Sequence, residues 1–204
     1  MARPGKIVCV GRNYREHAKE LGNDVPTAPL LFLKPPSAVI AAGVSIVRPA
    51  VSQRVDFEGE VGIVIGATLC KATPEQCAAG IRGVVALIDV TARYLQKSDG
   101  QWSRAKGFDT FCPIGPEWVG VPPLDAITVV TRVNGEEKQR GSTADLVFPI
   151  PGLLSYISHI MTLEPGDVVA TGTPAGVGPL QAGDIVEIEL VGYSTVRNPV
   201  ESQA

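Results

Sequence analysis

The chain is poor in histidine. His17 and His159 are the only two in 204 residues, and aromatic side chains make up just 5%. No run of five or more basic residues occurs, and the formal net charge is −3. Both facts exclude an electrostatic grip on nucleic acid. No apolar stretch nears the roughly 20 residues that span a bilayer. The apolar part of "MARPGKIVCVGRNY" is too short for a signal-peptide core. The four cysteines, Cys9, Cys70, Cys77 and Cys112, form no CxxC pair and no zinc spacing, and are expected as small reduced core residues. Charged residues are scarce at 19% against 45% hydrophobic, which excludes a disordered chain. The expectation is a soluble, cytoplasmic protein with one domain over residues 1–204, without membrane or nucleic-acid partners.

Glycine and proline are plentiful instead, at 22 and 17 residues, which suits many short strands with sharp turns and not a helix bundle. "KIVCVG" (6–11), "EVGIVIG" (60–66), "VVALIDV" (84–90), "PGDVVATG" (165–172) and "AGDIVEIELVG" (182–192) read as strands. "LLFLKPPSAVI" (30–40) reads as extended, broken by two prolines. "ITVVTRVNGEEKQRG" (127–141) predicts a hairpin around Asn134-Gly135. Helices are predicted at 13–22 with Gly22 as stop, and at 73–81 with Thr73 as N-cap and Pro74 at the first position. A short helix "TARYLQK" follows the strand at 84–90. Another at 148–163 carries an apolar stripe at 153, 154, 157, 160 and 161, which leaves His159 to solvent. Residues 98–117 read as irregular. The fold class expected is β-rich α+β.

The segment "RVDFEGEVGIVIG" (54–66) opens with Asp56, Glu58 and Glu60 at alternate positions. A second Glu-x-Glu, in "IVEIEL", serves as control. There Val186, Ile188 and Leu190 hold the opposite parity throughout, which is ordinary half-buried alternation. Past Glu60 both faces of the first segment are apolar, so its acids stand at the mouth of a buried strand. "VVALIDV" likewise ends a run apolar on both faces with Asp89. A buried carboxylate must be compensated, by lysine or arginine or by a metal ion, and pattern alone leaves both open. Were Glu58, Glu60 and Asp89 to converge, the all-oxygen set would suit Mg²⁺ or Mn²⁺ rather than zinc.

His17 and Glu20 lie three apart on one helical face, where a carboxylate can orient an imidazole as general base; a polar surface helix gives the same pair. Lys34 interrupts "LLFLKPP" and Lys106 sits near Trp102 and Phe108; each reads either as a snorkelling surface lysine or as a partner for a substrate anion. "ATGTPAGVGPL" (170–180) could cradle an anion on its backbone N–H groups or be a plain tight loop, and it lacks the P-loop lysine.

Taken in order, "CVGRNYREHAKEL", "LFLKPPSAVI", "DFEGEVGIVIG", "IDVTARYLQ", "RAKGFDTFCPIGP", "VNGEEKQRGST" and "TGTPAGVGPL" resemble the fumarylacetoacetate hydrolase family, specifically its short acylpyruvase-type members, over almost the whole chain. The resemblance implies a mixed β-sandwich roll with a few short helices, usually a homodimer. It implies a divalent cation on Glu58, Glu60 and Asp89, and His17, Glu20 and Lys106 as catalytic groups. It places Arg12, Lys34, Gln96 and Thr173 on the substrate side and leaves Asp56 as an acid standing behind the metal ligands. The activity implied is hydrolysis of a 2,4-dioxo acid, such as acetylpyruvate or fumarylpyruvate, to pyruvate and a carboxylic acid. Oxaloacetate decarboxylation or an isomerase or decarboxylase reaction of aromatic catabolism fits the same site. A non-catalytic, metal-dependent binding module of 2-oxo acids is the alternative of another class.

Overall fold

The computed structural model describes residues 3–20, 22 and 24–203. Two mixed sheets form the body. The larger has six strands in the spatial order Trp118–Val119, Ile81–Ile88, Gly59–Ile65, Val168–Ala170, Ile7–Gly11, Leu30–Lys34. The second has five: Glu136–Ser142, Thr128–Val133, Ile185–Leu190, Ser194–Ser202, Ile46–Arg48. Helices are few and short: α1 Arg15–Glu20, α2 Pro74–Ala79, α3 Arg93–Ser98, α4 Ser103–Lys106 and α5 Ile150–Ile160. The architecture is β-rich α+β, as the sequence led us to expect.

The strand Gly59–Ile65 is buried at every residue. Val61, Ile63 and Ile65 join one core with Val129, Val186, Ile188 and Leu190 of the five-stranded sheet. Val64, on the other parity, joins a smaller core with Val85, Leu87, Cys9 and Cys112. Two layers of packing therefore sandwich the strand, which accounts for its two apolar faces. The control strand Ile185–Leu190 alternates half-buried and buried residues, and Arg132 lies across from both of its glutamates.

Several local signals are realised as read. Thr73 caps α2 in a capping box, its side chain accepting from Gln76 N–H while the Gln76 side chain accepts from Thr73 N–H. Asn134 and Gly135 both have positive φ, the requirement of a two-residue hairpin turn. Cys9, Cys77 and Cys112 are buried and free, and His159 is exposed. No helix among the described residues is long and apolar enough to cross a membrane.

Other expectations are corrected. Cys70 is exposed, not a core residue. The helix expected over 13–22 is confined to Arg15–Glu20, because Asn13 is buried and spends its amide on Thr171 O and Phe148 O. Leu21 of that expected helix lies outside the described residues. In α5 the inward position is Ser158, which accepts from Ala72 N–H, while Ile160 is 56% exposed. The irregular reading of 98–117 missed α4 and a two-residue strand at Cys112–Pro113. The nine-residue strand Ser194–Ser202 was not foreseen, since its polar residues and Pro199 hide an alternation of buried and exposed positions.

Candidate active site

The register of the large sheet places the acids. Gly59 pairs Ile88 and Glu60 pairs Leu87, and Asp89 N–H donates to Glu58 O at 2.8 Å. Residues opposite one another in an antiparallel pair point to the same face. Glu58, Glu60 and Asp89 therefore converge, with ligand oxygens all within 4.8 Å of one another, and all three are buried. Asp56 is equally buried, but its oxygens are taken by Arg54 and Arg93.

Cations answer these acids. Lys106 Nζ donates to Glu58 Oε2 at 2.7 Å and also to Asp89 Oδ2. Lys34 Nζ donates to Asp89 Oδ1 at 2.7 Å and to Val90 O at 3.2 Å. Arg93 reaches Asp56 through Nε at 2.8 Å, and its NH2 lies 2.6 Å from Glu58 Oε1, an ion pair outside hydrogen-bond geometry. Glu60 is different. Among the described residues its one hydrogen bond comes from Gly172 N–H at 2.8 Å, and its second oxygen has no donor. Gly172 sits at φ +102°, and a Cβ there would stand 2.8 Å from Asn13 Cβ, so only glycine brings that N–H to the carboxylate.

The electrostatics separate the two glutamates. Lys106 and Arg93 outweigh the cost of burial and hold Glu58 far below the usual carboxylate range. Burial, then repulsion from Asp89 and Glu58, pushes Glu60 well above it. Salt bridge or metal was the open question, and the arrangement answers it unevenly. Glu58 and Asp89 have lysine and arginine partners, yet each carboxylate oxygen keeps a second lone-pair direction. Glu60 has no lysine or arginine partner among the described residues. The donor set is all oxygen, buried and convergent, and it fits a hard divalent cation.

These groups open on a cavity of about 500 Å³ lined by Arg12, His17, Glu20, Gln96, Trp102, Lys106 and Thr173 besides the three acids. His17 Nδ1 lies 3.3 Å from Glu20 Oε2. A carboxylate only accepts, so Nδ1 is the donor of this pair, and in the neutral imidazole Nε2 is then the acceptor. Glu20 is itself fixed by Gly176 N–H, at 3.1 and 3.2 Å to its two oxygens. The Gly-rich segment does cradle anions, but they are the protein's own: Glu60 at Gly172 and Glu20 at Gly176. Thr173 donates its hydroxyl to Gly59 O at 2.9 Å and accepts from Gln139 at 2.8 Å.

Of the substrate-side residues named from resemblance, Arg12, Gln96 and Thr173 line the cavity. Lys34 is not among the lining residues; it is buried behind Asp89 with its ammonium already engaged. Arg93 and Gln139 were not foreseen. Arg93 had a signal: it opens a helix directly after the lone buried acid Asp89. Gln139 had none, since it falls in the polar stretch "EEKQRG", where it alone is fully buried.

Relatives were found by sequence and by structure. An oxaloacetate tautomerase of Arabidopsis thaliana is 45% identical over 204 residues, covering 96% of this chain and 91% of its own. The crystal structure of a 5-carboxymethyl-2-hydroxymuconate delta-isomerase from Mycobacterium smegmatis superposes with TM-score 0.92 at 43% identity, covering 99% of this chain and 80% of that one. A fumarylpyruvate hydrolase from Pseudomonas aeruginosa, in complex with Mn²⁺ and pyruvate, superposes with TM-score 0.91 at 32% identity, covering 97% and 90%. The fumarylacetoacetate (FAA) hydrolase C-terminal model matches residues 6–201, and the chain belongs to that family.

Proposed function

We propose that the protein hydrolyses the C3–C4 bond of 2,4-dioxo acids, such as acetylpyruvate or fumarylpyruvate, to pyruvate and a carboxylic acid. The observation that carries this reading is the His17–Glu20 pair on the same cavity as the converged Glu58, Glu60 and Asp89. The Pseudomonas hydrolase, with Mn²⁺ and pyruvate bound, supports the class of cation and product. Mg²⁺ or Mn²⁺ held by the three carboxylates would, when bound, stabilise the negative charge of an enolate.

The chain's own residues do the rest. Glu20 fixes the imidazole so that Nε2 of His17 takes a proton from water. The hydroxide adds to the C4 carbonyl, and the C3–C4 bond breaks with its electron pair staying on C3. The acid leaves from C4, and the proton held on His17 returns to C3 to give pyruvate. Lys106 places a positive charge beside the developing oxyanion. Arg12, which makes no ion pair among the described residues, receives a substrate carboxylate at the cavity wall; Gln96, whose oxygen accepts from Arg93, turns its amide N–H groups to orient it, and Thr173, its hydroxyl spent on Gly59 O and Gln139, shapes the wall beside it.

A second reading is keto–enol interconversion of oxaloacetate, favoured by the activity named for the Arabidopsis relative. It moves a proton at C3 and needs no attacking water. The test is a panel of acetylpyruvate, fumarylpyruvate and oxaloacetate, with and without EDTA, on the natural protein and on His17→Ala. Loss of acylpyruvate cleavage by about 10²- to 10⁴-fold in the variant is expected for a lost general base. Unimpaired cleavage would remove His17 from that role. Tautomerisation without any cleavage in the natural protein would establish the second reading, and loss of CO₂ from oxaloacetate would reveal a decarboxylase.

A further inference from the structure

One part of the cavity wall has no task in the chemistry above. Phe32 and Trp102 both line it, their rings edge to face with centroids 5.2 Å apart and planes at 72°. Both are only half-buried, in a chain with few aromatic residues. Gly11 shows how closely the indole is seated. A Cβ at residue 11 would stand 2.8 Å from Cζ3 and 3.0 Å from Cη2 of Trp102, so any side chain there would displace the ring. The indole is also tied to the reacting groups. Trp102 immediately precedes α4, and its carbonyl accepts from Lys106 N–H at 2.9 Å. Lys106 Nζ lies 5.0 Å from the Phe32 centroid and 6.0 Å from that of Trp102.

We propose that Trp102 and Phe32 form a subsite for the group attached at C4, and that it selects 2-oxo acids carrying a flat aryl or conjugated substituent there. The inference rests on reading the carboxylate cluster as the 2-oxo-acid end of the site. A ring beside Lys106 that also faces the cavity offers a π surface to whatever extends from C3 of a substrate anchored at Glu58, Glu60 and Asp89. Edge-to-face or offset stacking on such a surface favours an aryl group by about threefold to tenfold beyond its apolar area.

The test compares binding of 2-oxo-4-phenylbutanoate and 2-oxobutanoate to the Mg²⁺-loaded protein by calorimetry. Neither has a 4-oxo group, so neither can undergo the proposed C3–C4 cleavage. The natural protein should prefer the phenyl compound by tenfold or more. That preference should fall at least fivefold in Trp102→Leu, survive largely in Trp102→Phe, and fall in Gly11→Ala, where the ring is kept but displaced. In a Trp118→Phe background, Trp102 is the only indole, and its fluorescence should respond to the phenyl compound alone. A Trp102→Leu preference within twofold of the natural one overturns the subsite. Equal affinity of the natural protein for both compounds does the same and leaves the 2-oxo-acid reading standing. Failure of both compounds to bind the natural protein overturns that reading and the subsite together.

Discussion

Replacing Arg93 by methionine tests whether the acids at the mouth of the buried strand are held by a charge network. Arg93 is 10% exposed at its side chain and faces two carboxylates, Asp56 at 0% and Glu58 at 6%. Methionine fills similar volume but leaves Asp56 with Arg54, which is 57% exposed, and Glu58 with Lys106 alone. Removing one partner of a buried ion pair costs about 3–5 kcal/mol, because the remaining charge stays desolvated. In a chain of this size about 1 kcal/mol moves the melting temperature by about 2–4 °C, so a loss of roughly 6–20 °C is expected. The control is Arg132→Met, on the other Glu-x-Glu strand. Arg132 lies 2.8 Å from Glu189 and 3.3 Å from Glu187, with side chains near 30% exposed. Its loss should cost about 0–1 kcal/mol. Urea denaturation followed by circular dichroism, in EDTA at pH 7, compares the two. Equal losses, or an Arg93→Met loss below about 1 kcal/mol, would refute the distinction between the two strands. Mg²⁺ should then stabilise Arg93→Met more than the natural protein, because the cluster has lost a competing cation.

Two further perturbations probe the core around the site. Gly59→Ala would put a methyl 2.1 Å from Thr131 Oγ1 and 2.8 Å from Ile188 Cδ1, so overpacking should cost about 1–3 kcal/mol in urea denaturation. Burial pushes the Cys112 thiol from 9.0 up to about 12. The folded chain therefore keeps a proton that the unfolded chain loses across that window, and stability should fall as pH rises through it. Cys112→Ala should flatten that slope in denaturation curves taken at successive pH values. A disulfide reagent at pH 8 should modify Cys70 alone in the native protein and all four thiols in urea.

The sequence made most of the strand content and the acid cluster legible because each leaves a periodic trace. Asp56, Glu58 and Glu60 stood out only against the parity of Val186, Ile188 and Leu190, and burial of both faces at 55–65 follows that contrast. Helix α2 was readable to its cap because capping is local chemistry. What escaped depends on distant partners. The role of Gln139 arises from Gly59, Thr131, Thr173 and Pro174, none of which its neighbours announce. Lys34 reads from the sequence either as a snorkelling surface lysine or as the partner of a substrate anion, and only the family resemblance places it on the substrate side. The anion it meets is Asp89, 55 residues away. Pattern identifies which charges are buried; register decides what they face.

That register has a consequence for substrate charge. Four buried carboxylates, Asp56, Glu58, Glu60 and Asp89, face three buried cations, Lys34, Arg93 and Lys106; with all four ionised around a bound cation this leaves one negative charge in surplus, since Arg54 beside Asp56 is 57% exposed and screened by solvent. A divalent cation would turn the surplus into a single positive charge, and a 2-oxo acid brings the one negative charge that neutralises it. Without the lysines and arginine, the same cation on three carboxylates would still repel an anion. Lys34 should therefore matter to substrate binding even though it does not line the cavity. Lys34→Met, checked for native circular dichroism, should weaken Mg²⁺-dependent pyruvate binding on the order of tenfold at low salt, the scale of one unit charge acting at the site's effective dielectric. Pyruvate affinity unchanged in that variant would show that the charge balance of the cluster does not govern which anions enter.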